Sequence, residues 1–599
     1  MPFGAELAAD GSTWFRLWAP GARRVSLEFG GAVARAALPM AARDGGWHEV
    51  LVPRCGVGTR YAFRIGEHLL VPDPAARANP EDVHAASMVV DPLAFEWPDD
   101  GWRGRPWEEA VIYELHIGTF TPAGTFAAAI ARLDYLAELG VTALELMPVA
   151  EFAGKRNWGY DGVLPFAPES TYGTPDDLKA LVAAAHARRL MVLLDVVYNH
   201  FGPEGNYLHT YAPQFFEPRR HTPWGPAVNF DREHARTVRE FFIHNALYWL
   251  EEYHFDGLRI DALHAITDAS QPHIVTELAR AVRDGPGRER HVHLVLENDR
   301  NEARHLARDA ADAPLVADAQ WNDDVHHCLH VLLTGERDGY YADYATHALW
   351  CLGRALAEGF AQQGESSAYR GAPRGEPSTH LPPTAFVNFL QNHDQIGNRA
   401  FGERIGALAA PQPLAAATAC VLLAPAPPLL FMGEEFLAST PFLYFCDFVS
   451  ELGAAVTRGR REEFARFERF ADEAQRARIP DPCDRGAFER SRLAWQEIAA
   501  SPHREWLGFV RSLLALRWRH IVPRLAGTRG SGSFECVAPG ALAVHWTLGD
   551  GARLHLAANL APVTARMAPA PGVPIYAHGR SGHLLAPWAV AWTIESSHA

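Results

Sequence analysis

The chain has 599 residues, too many for a single compact core, so roughly two to four domains are expected. With 48% hydrophobic and 21% charged residues, the composition argues against a disordered or fibrous protein. A net charge of −16 without a long basic run argues against nucleic acid as a partner, since neutralising phosphates needs clustered Lys and Arg. A neutral ligand such as a sugar is compatible with this balance but is not shown by it.

The N-terminus, MPFGAELAADGSTWF, lacks the basic and apolar regions of a signal peptide. From Trp14 to about Pro92, short segments with partial apolar alternation (FRLWAP, RVSLEF, WHEVLV, RYAFRI) are punctuated by Gly, Pro and Asp, the pattern of an antiparallel β-sandwich. The sandwich is expected over residues 1–94, followed by a Pro, Asp and Trp-rich linker over 95–107.

From Val111 the texture changes to apolar strand runs alternating with amphipathic helices, the signature of a parallel α/β domain. Eight strand candidates follow in order: VIYELHI, VTALELMPV, MVLLDVV, GLRIDA, HLVLEN, PLVADA, AFVNFLQNHD and PLLFMGEE. Helical stretches are expected at Thr125 to Leu139, Thr174 to Arg189, Arg232 to Tyr253 and Arg504 to Arg519. Eight strands in this alternation favour a closed (β/α)8 TIM barrel over an open doubly wound sheet, spanning residues 108–521. Strand-like pieces return after about Ile521 (SFECVA, ALAVHWTL, ARLHLAANL, WAVAWTI), which predicts a small C-terminal β-domain over 522–599.

The most apolar stretch, Ala419 to Met432, is interrupted by prolines and is shorter than the roughly 20 residues of a spanning helix. Seven cysteines (Cys55, Cys328, Cys351, Cys420, Cys446, Cys483 and Cys536) are scattered and never form a C-x-x-C pair. That spacing argues against a disulfide framework or a structural zinc site, and a reducing cytoplasm is the expected location.

In a (β/α)8 barrel, catalytic groups project from the C-terminal ends of the strands. Four strand candidates carry polar residues there: Asp195 with His200, Arg259 with Asp261, Glu297, and His393 with Asp394. Any one such acid is as readily a helix cap or a loop ion pair. Several together in one barrel mouth cost stability by desolvation and repulsion, which points to chemistry. Residues two apart on a strand face the same way, so the Arg259 guanidinium should lie beside Asp261 and hold it ionised as a nucleophile. Glu297 ends an apolar strand, where burial favours the protonated form that a general acid needs. One ionised and one protonated carboxyl is the pairing required for glycoside hydrolysis.

These motifs resemble the short blocks of the α-amylase superfamily, glycoside hydrolase family 13: DVVYNH the first, DGLRIDALH the second, the Glu of LENDRNE the third and FLQNHDQ the fourth. The resemblance implies Asp261 as nucleophile, Glu297 as acid/base and Asp394 as a third catalytic acid that binds sugar hydroxyls. It further implies that Tyr160, Asp195, His200, Arg259 and His393 line the sugar subsite at the cleavage point. Asn199 resembles a calcium ligand of α-amylases, but calcium takes six to eight oxygen ligands and no others are evident, so a hydrogen-bonded loop Asn is the preferred reading and no metal or cofactor is expected.

Within the superfamily, FVNFLQNHDQIGNRAFGERI, FDGLRIDALHAI, LENDRNEARHL and FMGEEFLASTPFLYFCDF resemble the malto-oligosyltrehalose trehalohydrolases. The N-terminal FRLWAPGARRVSLEF resembles a domain that these enzymes share with glycogen branching and debranching enzymes. Gln395 stands where branching enzymes usually carry Glu, and Asn298-Asp299 replaces their usual small polar pair, which favours the trehalohydrolases. The resemblance implies retaining hydrolysis of the α-1,4 bond next to the terminal trehalose of a malto-oligosyltrehalose, a substrate made by a separate synthase. A 1,4-α-glucan branching enzyme is the alternative. A retaining pair implies carboxyl groups about 5 to 5.5 Å apart. Trp224, on the loop after the third strand, either stacks on a sugar ring or covers the barrel rim. The stretch Gly359 to Pro383 is a candidate cleft wall, and Glu434 and Glu435 are as readily structural as catalytic.

Overall fold

The computed structural model describes residues 1–30 and 36–596, so residues 31–35 of the expected sandwich and 597–599 of the expected C-terminal domain lie outside it. Eight parallel strands close into a barrel: β1 (Ile112–Leu115), β2 (Ala143–Leu146), β3 (Met191–Val196), β4 (Gly257–Ile260), β5 (His293–Leu296), β6 (Ala319–Trp321), β7 (Phe386–Phe389) and β8 (Pro428–Phe431). Every residue of these strands is buried, the expected state of parallel strands covered on both faces.

Helices wrap the barrel. Pro175–Ala187 starts on a capping box in which Thr174 Oγ1 accepts from the Asp177 amide and the Asp177 carboxylate accepts from the Thr174 amide, with Pro at the first turn. Ala235–Glu252, Ile274–Asp284 and His503–His520 also cover the barrel. The run expected from Thr125 splits into Phe126–Ile130 and Leu133–Leu139, because the Arg132 amide bonds back to Ala129 in a tighter turn. The second piece ends on Gly140 at φ 102°, a conformation that favours glycine.

The sixth strand is not PLVADA but Ala319–Trp321, and the link from β5 holds only the short helix Ala303–Leu306. Leu315 is 50% exposed, Pro314 makes an isolated bridge to Arg308, and the Leu315 and Ala317 amides bond the Ala307 and His305 carbonyls, so most of this run pairs with the segment before it and not with the barrel strands. The strand is anchored at Asp318, whose carboxylate accepts from the Leu294 amide at 2.9 Å.

Ahead of the barrel, two antiparallel sheets form the sandwich, one containing Thr13–Trp18 and Trp47–Val52, the other Val25–Gly30 and Arg60–Ile65. It docks on the helix Ala235–Glu252 through an ion pair of Arg77 with Glu252 (2.8 Å) and an edge-on contact of Phe3 with Phe241. The C-terminal sheet is six-stranded, running from Ser533–Ala538 to Leu584–Glu595. It contains the four expected strands and also Ala565–Arg566 and Val573–Ser581. Trp546 and Trp592 stack 5.7 Å apart and donate indole N–H groups to Leu356 and Ala419 of the barrel domain, joining the two units.

Candidate active site

Register places the central residues. Asp195 on β3 is directly opposite Arg259 on β4, and Ile260 is opposite Leu296 on β5, so Asp261 and Glu297 are the next residues beyond two adjacent strand ends. The chain turns at Ala262, whose left-handed φ of 41° is strained for a residue with a side chain, by about 1–3 kcal/mol. That turn aims the Ala262 amide at Glu297 Oε2, 2.6 Å away, while the Leu263 amide bonds the Glu297 carbonyl at 2.9 Å. The backbone after one acid thus positions the other.

Arg259 is the electrostatic centre. Its Nη1 lies 2.7 Å from Asp261 Oδ1 and 2.9 and 2.8 Å from the two Asp195 oxygens, and the guanidinium sits 4.1 Å over the ring of Trp321. Asn199 donates to Asp261 Oδ2 at 3.0 Å, so its amide serves this carboxylate. Burial pushes Asp195 up to about 7, with Arg259 opposing that shift. Glu297 is pushed well above the usual carboxylate range by burial, against Arg259 and with Asp261, Asp323 and Asp394 adding repulsion. Asp394 lies in the first turn of the helix His393–Gly397, capped by Asn392, and its carboxyl accepts from Asn398 at 3.2 Å.

The remaining expected residues surround these acids. Tyr160 donates to Asp195 Oδ2 at 2.5 Å and stacks on His393, with ring centroids 5.1 Å apart. His393 bonds Glu114 through its ring and its amide; burial alone would lower this imidazole, but Asp394 and Glu114 raise it to about 9. His200 is pushed down to about 4 by burial and stacks 4.8 Å from Trp224, which is 47% exposed at the tip of the hairpin formed by Phe216–Thr222 and Gly225–Val228.

Asp261, Glu297, Asp394, Tyr160, His200, His393 and Trp224 line one cavity of about 610 Å³. Asp195 and Arg259 do not line it; they lie behind Asp261 and Tyr160, which they bond. A smaller cavity of about 220 Å³ shares Glu297 and Asp394 and adds Trp321, Asp323, Tyr369 and Arg370. The stretch Gly359 to Pro383 therefore supplies part of the cleft wall. Glu435 accepts instead from Tyr113 and Tyr135 and lines neither cavity, as does Glu434, whose carboxyl is bonded by the Phe431 amide.

Sequence reading missed Glu114, Asp323 and Trp321. An acid inside the apolar run VIYELHI was the available signal for Glu114. Asp323 escaped because the sixth strand was expected too early, and the true strand end brings WNDD to the barrel mouth. Among the described residues, no group of three or more His, Cys, Asp or Glu is arranged to hold a metal, and no helix is long and apolar enough to cross a membrane.

Comparison with known proteins agrees with this geometry. Residues 99–245 match the alpha amylase catalytic domain, 2–92 match carbohydrate-binding module 48, the isoamylase N-terminal domain, and 529–592 match a domain of unknown function, DUF3459. The chain is 43% identical over 515 residues to the malto-oligosyltrehalose trehalohydrolase of Deinococcus radiodurans, covering 85% of this chain and 82% of that protein. A crystal structure of a candidate alpha amylase from Salmonella typhimurium superimposes with a TM-score of 0.94 at 46% identity, covering 99% of both chains. A 1,4-alpha-glucan branching enzyme of Burkholderia thailandensis is 38% identical, but over only 42% of this chain and 33% of its own. With a catalytic cleft built on the barrel and this likeness running through most of its length, the chain belongs to the malto-oligosyltrehalose trehalohydrolase family of the α-amylase superfamily, glycoside hydrolase family 13.

Proposed function

We propose that the chain hydrolyses the α-1,4-glucosidic bond next to the terminal trehalose of a malto-oligosyltrehalose, releasing trehalose and a malto-oligosaccharide with retained configuration. The observation that carries the chemistry is the arrangement of Asp261 and Glu297 beyond the ends of adjacent strands, one bonded by Arg259 and the other buried and pushed toward its protonated form. The likeness to a trehalohydrolase through most of the chain supports the choice of substrate.

Asp261 attacks the anomeric carbon from one face while Glu297 protonates the leaving glycosidic oxygen, giving a β-linked glycosyl-enzyme and free trehalose. The emptied Glu297 carboxylate then takes a proton from water, which displaces Asp261 and restores the α-configuration. Arg259 compensates the charge on Asp261 before attack and remains paired with Asp195 throughout. Asp394 and the protonated His393 bind hydroxyls of the distorted sugar, and Tyr160 presents its ring to the same sugar. The catalytic unit is residues 108–521, between the sandwich at 1–94, joined through the linker at 95–107, and the β-domain at 522–599. Scattered free cysteines fit a cytoplasmic setting, and a malto-oligosyltrehalose synthase acting upstream supplies the trehalose end.

Chromatography of products from maltotriosyltrehalose and, separately, maltopentaose tests the reading. Trehalose plus maltotriose from the first, with much slower cleavage of the second, is expected. Equal rates on both, or a change in the iodine spectrum of amylose without release of trehalose, would overturn it in favour of an amylase or a branching enzyme.

A further inference from the structure

A separate cavity of about 240 Å³ lies beside the loop that carries the catalytic-cleft aromatics. Its charge is opposite to that of the molecule. Lys155, Arg156, Arg485 and Arg492 line it against one carboxylate, Glu489, in a chain of net charge −16.

Two of these cations are already compensated: Arg156 bonds Asp447, and Arg485 Nε lies 2.6 Å from Glu489. The Lys155 ammonium and the Arg492 guanidinium make no hydrogen bond or ion pair among the described residues. Arg492 is held 5.0 Å over the ring of Phe488, and its Nε is buried without a partner. The floor is open because Gly118 and Gly124 carry no side chain; a Cβ on Gly118 would meet His116, Tyr172 and Phe488 at 2.9 to 3.2 Å.

We infer that this cavity binds the phosphate of a small phosphorylated sugar, with Lys155 and Arg492 neutralising a dianion and Phe488 walling the attached ring. Two unpaired cations match a phosphate monoester better than a singly charged carboxylate, and guanidinium with ammonium is a recurrent phosphate-binding set. The site is linked to the catalytic cleft by the chain itself. Lys155 and Arg156 directly precede Asn157, Trp158 and Tyr160, all of which line the larger cavity. The Tyr172 hydroxyl, on the cationic side, meets His116 Nε2 at 3.0 Å, and the same nitrogen meets the Asn157 carbonyl at 2.9 Å. An anion that orders Lys155 and Arg156 thereby orders the segment that presents Tyr160.

Calorimetric titration of the full chain with glucose 6-phosphate, inorganic phosphate and potassium chloride at matched ionic strength tests this without reference to the hydrolytic reaction. Saturable binding of glucose 6-phosphate is expected, tighter than inorganic phosphate and absent with chloride. Replacing Lys155→Gln or Arg492→Gln should weaken it by at least roughly tenfold for each charge removed, while hydrolysis of maltotriosyltrehalose without added anion stays unchanged. Lys155 is exposed, so the first variant alone tests the site without threatening the fold. Equal binding of the two phosphates would overturn the sugar assignment. No saturable binding, or binding unaffected by both variants, would overturn the site.

Discussion

Glu297 receives the backbone N–H of Ala262 on one carboxyl oxygen, Oε2, at 2.6 Å, and the same oxygen lies 4.0 Å from Arg259 Nη2. An oxygen that accepts from an amide and faces a guanidinium does not carry the proton, so the acid's hydrogen belongs on Oε1. The strained turn at Ala262 therefore orients Glu297, the proposed general acid, as well as redirecting the chain.

Because burial holds Glu297 well above its ordinary range, its acid form persists beyond the usual carboxylate range and is lost as pH rises through the folded value. The kcat/KM profile on maltotriosyltrehalose should fall on its alkaline side for that reason. Glu297→Gln should lower kcat by roughly 10²- to 10⁴-fold and remove that alkaline limb. An unchanged limb in the variant would assign it to another group.

Arg259 is fully buried between Asp195 and Asp261, so its removal leaves two buried carboxylates with one fewer cation. Arg259→Leu should cost about 3–5 kcal/mol of stability at neutral pH. Arg259 opposes the burial that raises Asp195, so its loss raises that carboxyl further in the folded state, and the deficit should shrink as pH falls and Asp195 becomes protonated. Urea unfolding at pH 5 and pH 8 measures this; the same deficit at both would show that packing against Trp321 dominates.

Trp224 is half exposed and rests on His200 without supporting the barrel core. Trp224→Ala should leave the melting temperature nearly unchanged and raise KM by roughly two- to tenfold through lost ring stacking, with a smaller change in kcat. Initial rates across substrate concentration separate the two constants. A changed melting temperature with unchanged KM would make the indole a rim cover.

Glu145 on β2 is buried with both carboxyl oxygens unbonded, and it stands opposite Glu114 on β1. Burial first, then repulsion from Glu114, pushes it well above the usual range, with Arg259 opposing. A carboxyl raised on folding favours the native state below its unfolded value and penalises it as pH rises toward and through the folded one. Glu145→Gln should therefore melt higher than the parent at pH 8 and 9, with the difference vanishing near pH 4. Melting curves across that range check it; a variant destabilised at every pH would show that the acid proton makes a bond that Gln cannot replace.

The strand-end residues were legible because they rest on local rules. A strand shows alternate residues on one face, so Arg259 and Asp261 could be paired from their spacing, and barrel chemistry gathers at strand ends. The sixth strand lies elsewhere than expected for an equally local reason: PLVADA is more apolar than AQW, yet most of the former pairs with residues 305–308 outside the barrel. That misplacement hid Asp323. Glu114 and His393 stand 279 positions apart, and no sequence window joins them.

The sequence by itself determined the class of architecture and marked the strand-end acids proposed as the catalytic pair, because alternation, strand punctuation and motif spacing are properties of short segments. Tertiary structure alone decided that Asp195 and Arg259 sit behind the cleft, that Ala262 orients Glu297, and that a cationic cavity forms from segments between Gly118 and Arg492. Those contacts depend on how distant buried surfaces close against one another, and that closure is set by the packing of the whole barrel.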